Sequence, residues 1–294
     1  MNESQPHQAN AILRIAIQKS GRLQEDSLKL LKEAGLHISN GKDQLKTQAR
    51  NFPVELLFLR DDDIPQYVED RVADAGIVGE NVLIEKQKKN ELVRRLDFAK
   101  CRLSIAIPRS EKYTGISYLA GKNIATSYPV IVQQFLDKHK IQAGIHEISG
   151  SVEIAPGIGL ADAICDIVST GSTLMSNGLK EVETVIQSEA VLIATPGLEP
   201  TKKAILDKLI FRINAVQSAK NNKYILLNCP NEAIEKIINV IPGMRSPTIM
   251  PLSRTGWSSL HSVVDENDFW EKIELLKSCG AEGILVIPIE KMIA

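Results

Sequence analysis

The sequence predicts an α/β protein in three parts: two α/β lobes facing each other across a cleft, then a separate β-α-β-β-α-β unit. Three observations predict it. Short apolar runs alternate with amphipathic stretches through the first two-thirds of the chain, as in a largely parallel sheet flanked by helices. A fresh apolar run at residues 103–107, and another strand within 185–194, suggest that the chain crosses into a second lobe and returns. After the polar stretch 218–223 the element order changes to strands paired directly, with helices between the pairs.

The elements follow in order. Residues 13–17 (LRIAI) read as a buried strand, followed by a polar turn at 18–22. Leu23, Ser27, Leu28, Leu31 and Ala34 recur at helical spacing, and Gly35 stops that helix. Residues 54–59 (VELLFL) form a strand, 64–72 a helix with Pro65 tolerated in its first turn, and 75–78 a strand ending at Gly79. Residues 103–107, 123–126 and 163–168 supply strands to the second lobe. A helix at 201–220 leads to the boundary. Beyond it come strand 224–228, helix 233–240, strands 248–252 and 258–264, helix 269–278 and strand 283–289, the ferredoxin-like order. The first two parts, expected at residues 1–102 with 184–219 and at 103–183, have a periplasmic-binding-protein-like arrangement, and the third takes 220–294. Ligands favour the carboxyl ends of strands in such a cleft.

Composition narrows the function. With 35 basic against 36 acidic residues and a net charge of −1, the chain has no general attraction for nucleic acid or anionic membrane. Any polyanion site must be local. Cys101, Cys165, Cys229 and Cys279 lie far apart and make no disulfide framework or zinc motif. His7, His37, His139, His146 and His261 are equally scattered. The first ten residues are polar, against a secretory signal, and no apolar run approaches the length of a membrane helix. A cytoplasmic protein is expected. A two-lobed frame also suits a small-molecule binding or sensor protein, so the site must decide.

The most informative segment is 162–174, DAICDIVSTGSTL. A strand carrying Asp166 near its end runs into Ser169, Thr170, Gly171, Ser172 and Thr173, and Leu174 is expected to open a helix. A strand followed by a Ser/Thr/Gly turn is often only a turn. Here, however, small residues and a glycine let backbone N–H groups converge on an anion, with the helix end behind them. Hydroxyls can donate to phosphate oxygens, and a carboxylate just upstream can accept from a sugar diol. The combination suits ribose 5-phosphate. Glu153 is a second candidate carboxylate, or else a solvated charge.

In the first lobe, Lys19-Ser20-Gly21-Arg22 sits between a strand and a helix: either a basic surface turn or, the favoured reading, a triphosphate site of two cations, a glycine and free N–H groups. Arg60 follows a strand and could contact phosphates. The acids Asp61, Asp62 and Asp63 read first as a cap for the helix that Pro65 begins, and alternatively as neighbours of a magnesium ion. Gly79 and Glu80 end another strand at the cleft.

These residues closely resemble one family, the ATP phosphoribosyltransferases of histidine biosynthesis in their long, regulated form. The stretches that carry the resemblance are LRIAIQKSGRL, RDDDIPQYVEDRVADAGIVGENVL, CRLSIAIP, GKNIATSYP, GSVEIAPGIGLADAICDIVSTGSTL, SPTIMPL and GAEGILVIPIEKM. The resemblance implies that ATP and phosphoribosyl pyrophosphate (PRPP) give N1-phosphoribosyl-ATP and pyrophosphate, with Mg2+, and that histidine inhibits at the C-terminal domain. It implies that Asp166 holds ribose hydroxyls, with Glu153 beside them, and that the loop from Ser169 to Thr173 holds the 5-phosphate. Lys19, Arg22 and Arg60 would face ATP and its phosphates, and Met244, Ser246, Thr248 and Ala281 would line the inhibitor site; Gly79 and Glu80 join the ATP-facing set from their place at a strand end. It implies a homo-oligomer, from dimer to hexamer. No covalent nucleophile is expected, because adenine N1 already carries a lone pair.

Overall fold

The computed structural model describes residues 11–39, 44–244 and 246–293. The polar N-terminal stretch 1–10, with His7, lies outside the described residues. One compact unit runs to Leu206 apart from Leu30–Gly35; the other takes Leu30–Gly35 and the chain from Asp207 on.

The first unit holds two sheets. The chain lays down β1 (Leu13–Gln18), α1 (Arg22–Glu33), β2 (Lys46–Gln48), β3 (Val54–Leu59), α2 (Ile64–Glu69), β4 (Ala75–Gly79), α3 (Glu80–Lys86) and β5 (Glu91–Arg95). It then crosses to β6 (Cys101–Pro108), β7 (Asn123–Thr126), α4 (Pro129–His139), β8 (Gly144–Glu147), β9 (Ala163–Val168), α5 (Ser172–Ser176) and β10 (Leu179–Ser188). It returns as β11 (Ala190–Ala194), and α6 (Pro200–Lys220) follows. Lobe I is the sheet β2-β3-β1-β4-β11-β5, and lobe II the sheet β10-β6-β9-β7-β8. Central strands are buried on both faces, which is why β4 (AGIVG) and β11 (AVLIA) read as continuous apolar runs. Ile64, Val68, Val78 and Ile193 belong to the lobe I core; Leu103, Ile105, Phe135 and Leu136 to that of lobe II.

Register fixes where the cleft lies. β6 starts just after the crossing, and β9 runs antiparallel to it, pairing Val168 with Arg102, so β9 ends at the crossing. β7 is parallel to β9 and ends on the same edge. In lobe I, β11 starts just after the return and pairs Ala190 with Gly79 at the end of β4. β1 runs parallel to both β3 and β4. The carboxyl ends of β1, β3, β4, β7 and β9 therefore all point to the face between the lobes.

The second unit carries β12 (Asn222–Pro230), α7 (Ile234–Val240), β13 (Thr248–Pro251), β14 (Trp257–Asp265), α8 (Glu266–Ser278) and β15 (Glu282–Pro288). Its strand order, β13-β14-β12-β15, is antiparallel at every pairing, which is the ferredoxin-like arrangement. Ile225, Leu227, Ile237, Leu260, Phe269 and Leu276 fill the core between sheet and helices.

Several expected elements sharpen or change. The strand expected within 185–194 is β11, which returns to lobe I as expected, while residues through Ser188 complete β10 in lobe II. The helix at 64–72 ends at Glu69, because Arg71 takes a left-handed φ of 60° and the N–H groups of Val72 and Ala73 both turn back to the Tyr67 carbonyl. The helix expected from residue 269 starts at Glu266, since the Asp265 carboxylate accepts from Asn267 N at 2.9 Å and caps it there. The boundaries expected at 102/103 and 183/184 fall inside β6 and β10, and that at 219/220 falls at the end of α6.

Candidate functional site

The loop after β9 is built from both sides. Gly171 sits at a φ of 80° and is the residue before α5, a conformation that glycine adopts without strain. The helix opens at Ser172 rather than Leu174, and it is only five residues long. Its dipole is correspondingly weak, so an anion here would rest mainly on turn N–H groups and hydroxyls. The Thr170 and Ser172 hydroxyls lie 3.1 Å apart, and Ser169, Thr170, Ser172 and Thr173 are all exposed.

Arg102 braces this loop from below. Its guanidinium grips the Glu181 carboxylate with two bonds of 2.5 and 2.6 Å, and its Nη1 donates to the Ser169 carbonyl at 3.3 Å. The Ser104 hydroxyl donates to the same carboxylate at 2.8 Å. The Arg102 bond holds the Glu181 carboxyl below its usual range. Arg102 lies in the crossing stretch CRLSIAIP, but no sequence signal ties it to a loop 67 residues away.

Asp166 stands at the cleft edge of β9, with Oδ1 accepting from its neighbour Ile167 N at 2.7 Å. Burial pushes its carboxyl up, the Ile167 N–H opposes, and the charge of Glu153 pushes the same way as burial. Glu153, in a short 3-10 turn, is thus close enough for its charge to act on Asp166.

Across the cleft, Lys19, Arg22 and Arg60 are exposed at the ends of β1 and β3. Lys19 N donates to the Leu59 carbonyl at 2.7 Å, tying these two strand ends together. Glu80 points elsewhere than expected for a free phosphate-facing group: it is paired with Arg95, which also meets Glu189 at 3.7 Å. That pair lines a pocket of about 310 Å³ with Lys100, Cys101 and Ser188, at the two crossings.

Two further cleft residues stand out: Asp61, read from sequence first as a cap, and Tyr128, which was not selected there. Asp61 Oδ1 is buried without a hydrogen-bond partner among the described residues. Burial, reinforced by Asp62 and opposed by Lys86, raises its pKa from 3.8 to about 6. The helix-cap reading therefore fails for this residue, and no side chain caps α2. Tyr128, just past β7, accepts from Asn81 Nδ2 at 3.1 Å. Burial, then the charge of Asp166, holds its hydroxyl protonated far above neutral pH, and Asp61 and Asp62 add to that.

No thiol competes for a catalytic part. Cys165 is fully buried and burial pushes its pKa well up; burial also raises Cys101. Among the described residues, no three His, Cys, Asp or Glu side chains gather to hold a metal ion. No helix among them is long and apolar enough to cross a membrane.

In the second unit the four residues expected at the inhibitor site do not converge. Thr248 opens β13, and Met244 and Ser246 lead into it, all exposed. Ala281 is buried just before β15, on the opposite edge of the sheet. The two edges are three strand spacings apart, about 14 Å.

Fold and site together define a class: a two-lobed α/β protein with cations and a Ser/Thr/Gly turn at facing strand ends, followed by a ferredoxin-like unit. Comparison with known proteins makes it specific. A family model described as ATP phosphoribosyltransferase matches residues 60–215, and one described as "HisG, C-terminal domain" matches 219–291. The chain is 62% identical over 284 residues to the ATP phosphoribosyltransferase of Cytophaga hutchinsonii, covering 97% of this chain and 99% of that one. It is 58% identical over 282 residues to that of Phocaeicola vulgatus, covering 96% and 100%. Among solved structures, it resembles a chain of the ATP phosphoribosyl transferase (HisG:HisZ) complex from Thermotoga maritima. That match has 28% identity and a TM-score of 0.59, and it covers 69% of this chain and 99% of that one. The chain belongs to the ATP phosphoribosyltransferase family, in the form that carries the C-terminal domain. The family transfers the phosphoribosyl group of PRPP to N1 of ATP and releases pyrophosphate, the first step of histidine biosynthesis.

Proposed function

We propose that this chain performs that transfer by holding ATP on lobe I and the sugar donor on lobe II, with their reacting atoms meeting between the facing strand ends. The observation that carries the reading is the register: cations at the ends of β1 and β3 and the loop after β9 come from opposite lobes onto one face. In this reading Lys19, Arg22 and Arg60 take the triphosphate, and Gly79 lets the backbone approach it. Asp166, with Glu153 behind it, accepts from the ribose diol. The turn from Ser169 to Thr173 donates to the 5-phosphate. Glu80 acts at one remove, by fixing Arg95.

Adenine N1 attacks the anomeric carbon with its own lone pair as pyrophosphate departs from the opposite side, so the configuration inverts. No proton need leave N1 first. Alignment of the two substrates can supply about 7–11 kcal/mol of the barrier. The lobe I cations stabilise the charge gathering on pyrophosphate. Neither step asks for a Ser, Cys or His nucleophile, and the buried thiol of Cys165 suits none.

A divalent ion fits as a passenger on the substrate phosphates, because the described residues build no carboxylate cage and offer Asp61 and Asp166 as acidic oxygens beside the cleft. Mg2+, which keeps several waters and binds through phosphates and one or two carboxylates, is the ion of this reading. It supplies positive charge to the leaving group.

Histidine acts as inhibitor at Met244, Ser246, Thr248 and Ala281. Because these residues lie on opposite edges of one sheet, a site that uses them all needs the edge of a second copy. This supports a homo-oligomer, dimer to hexamer. The protein works in the cytoplasm, without nucleic acid or membrane partners.

The test mixes ATP, PRPP and Mg2+ with the protein, with and without histidine. Equal amounts of N1-phosphoribosyl-ATP and pyrophosphate, reduced by histidine, are expected. A ribosylated protein trapped by acid quench, or pyrophosphate release without the ribosylated nucleotide, would overturn the mechanism.

A further inference from the structure

Apart from the chain crossings, one short helix, α3, ties the lobes together by side-chain hydrogen bonds. Glu85 of α3 reaches out of lobe I to the start of α4 in lobe II. Its Oε1 accepts from Val130 N at 3.0 Å and its Oε2 from Ile131 N at 3.0 Å. Those N–H groups belong to the first turn of α4 and have no partner within it. A carboxylate that spans both fixes distance and direction together, and its charge suits a helix N-terminus.

Asn81, buried at 4% exposure, makes the second link. Ser188 Oγ donates to Asn81 Oδ1 at 2.9 Å, and Asn81 N donates to Ser188 Oγ at 3.1 Å. With Oδ1 so engaged, the amide must present Nδ2 to the Tyr128 hydroxyl, which it meets at 3.1 Å. The side chain can fold back this way because residue 79 is glycine: a Cβ there would lie 2.4 Å from Asn81 Oδ1. Tyr128 and α4 both follow β7, which pairs directly with β9, Thr126 opposite Cys165. Lys86, one residue beyond Glu85, meets Asp62 at 3.6 Å and ties α3 to the segment after β3.

We propose that Asn81 and Glu85 are positioning residues: a two-point latch that sets lobe II, and the loop after β9, in line with the cation-bearing strand ends of lobe I. Neither residue touches the reacting atoms. The inference rests on the two-lobe reading of substrate binding given above. It predicts a particular kinetic signature. Each substrate alone contacts chiefly one lobe and binds normally without the latch, whereas the step that needs both lobes aligned slows.

The test compares wild type, Glu85→Ala and Glu85→Gln. Dissociation constants for ATP alone and PRPP alone come from calorimetry, kcat from product formation, and amide exchange of residues 129–139 from mass spectrometry. Glu85→Ala is expected to lose about tenfold or more in kcat while both binary constants stay within about twofold. Exchange at the start of α4 is expected to accelerate. Glu85→Gln keeps one acceptor and should fall between wild type and Ala. A kcat within about twofold of wild type in Glu85→Ala, or a kcat loss matched by an equal loss in one binary constant, overturns the latch. If Glu85→Ala does not fold, Glu85→Gln decides: a kcat loss at constant binary affinity supports the latch, and wild-type kcat overturns it. An inactive wild type would instead count against the functional reading itself.

Discussion

At the scale of residues, the site depends on a few backbone and carboxylate environments. Gly171 holds a left-handed φ of 80°, and a Cβ there would meet only Val168 Cγ1 at an ordinary contact distance of 3.9 Å, so its substitution costs conformation rather than collision. Gly171→Val puts a β-branched residue in that region, worth of order 1–3 kcal/mol. We expect the KM for PRPP to rise about tenfold or more, with that for ATP little changed. Thr173→Ala, which removes one hydroxyl, should shift the same constant in the same direction. Normal donor kinetics in both variants would remove the loop from the site. Asp61 offers a second check. Its carboxyl titrates near 6 when folded against an ordinary 3.8, so the native state holds the proton more tightly than the unfolded chain. The resulting stability is fully present below about pH 4 and is lost as pH climbs through 6, up to about 3 kcal/mol in all. Asp61→Asn has no proton to lose. Urea unfolding across pH should therefore show the variant gaining on wild type between pH 4 and 7, and a gap that does not vary with pH would contradict this environment.

At the scale of elements, what is legible in the sequence is what repeats or is buried. β3, β7 and β9 can be bounded from sequence because each is a short, mostly apolar run set between polar turns. β5 (ELVRR) escapes, since a charged edge strand carries no such signal. Helix α4 is not among the elements read from sequence, and its capping group comes from Glu85, 45 residues earlier, where no local rule points. The same holds for Arg102 beneath the loop and for the Asn81 network. The sequence names the groups proposed to meet the ligand but not the groups that brace them, because bracing is done by contacts remote along the chain. In the second unit the core is the legible part. Phe269, at 1% exposure between α8 and the sheet, should cost about 3–5 kcal/mol on truncation to Ala. Calorimetric unfolding checks this, and a loss below about 1 kcal/mol would mean the site repacks.

At the scale of the whole molecule, two devices divide the work. In the proposed reading the lobed unit aligns two phosphate-bearing substrates, and the ferredoxin-like unit offers sheet edges to a second copy. Thr248 is exposed on one edge while Ala281 lies at the other, so damage to a single edge should be enough to disable regulation. Thr248→Arg is expected to abolish histidine inhibition and leave the uninhibited kcat within about twofold. Retained inhibition would move the effector site away from β13. The central claim, that the turn between Val168 and Leu174 receives the sugar phosphate, is most directly tested by a crystal structure of the protein with PRPP bound. The account predicts the 5-phosphate among the N–H and hydroxyl groups of residues 169–173, with the ribose diol on Asp166. A donor seated elsewhere, with that turn open to solvent, would contradict it.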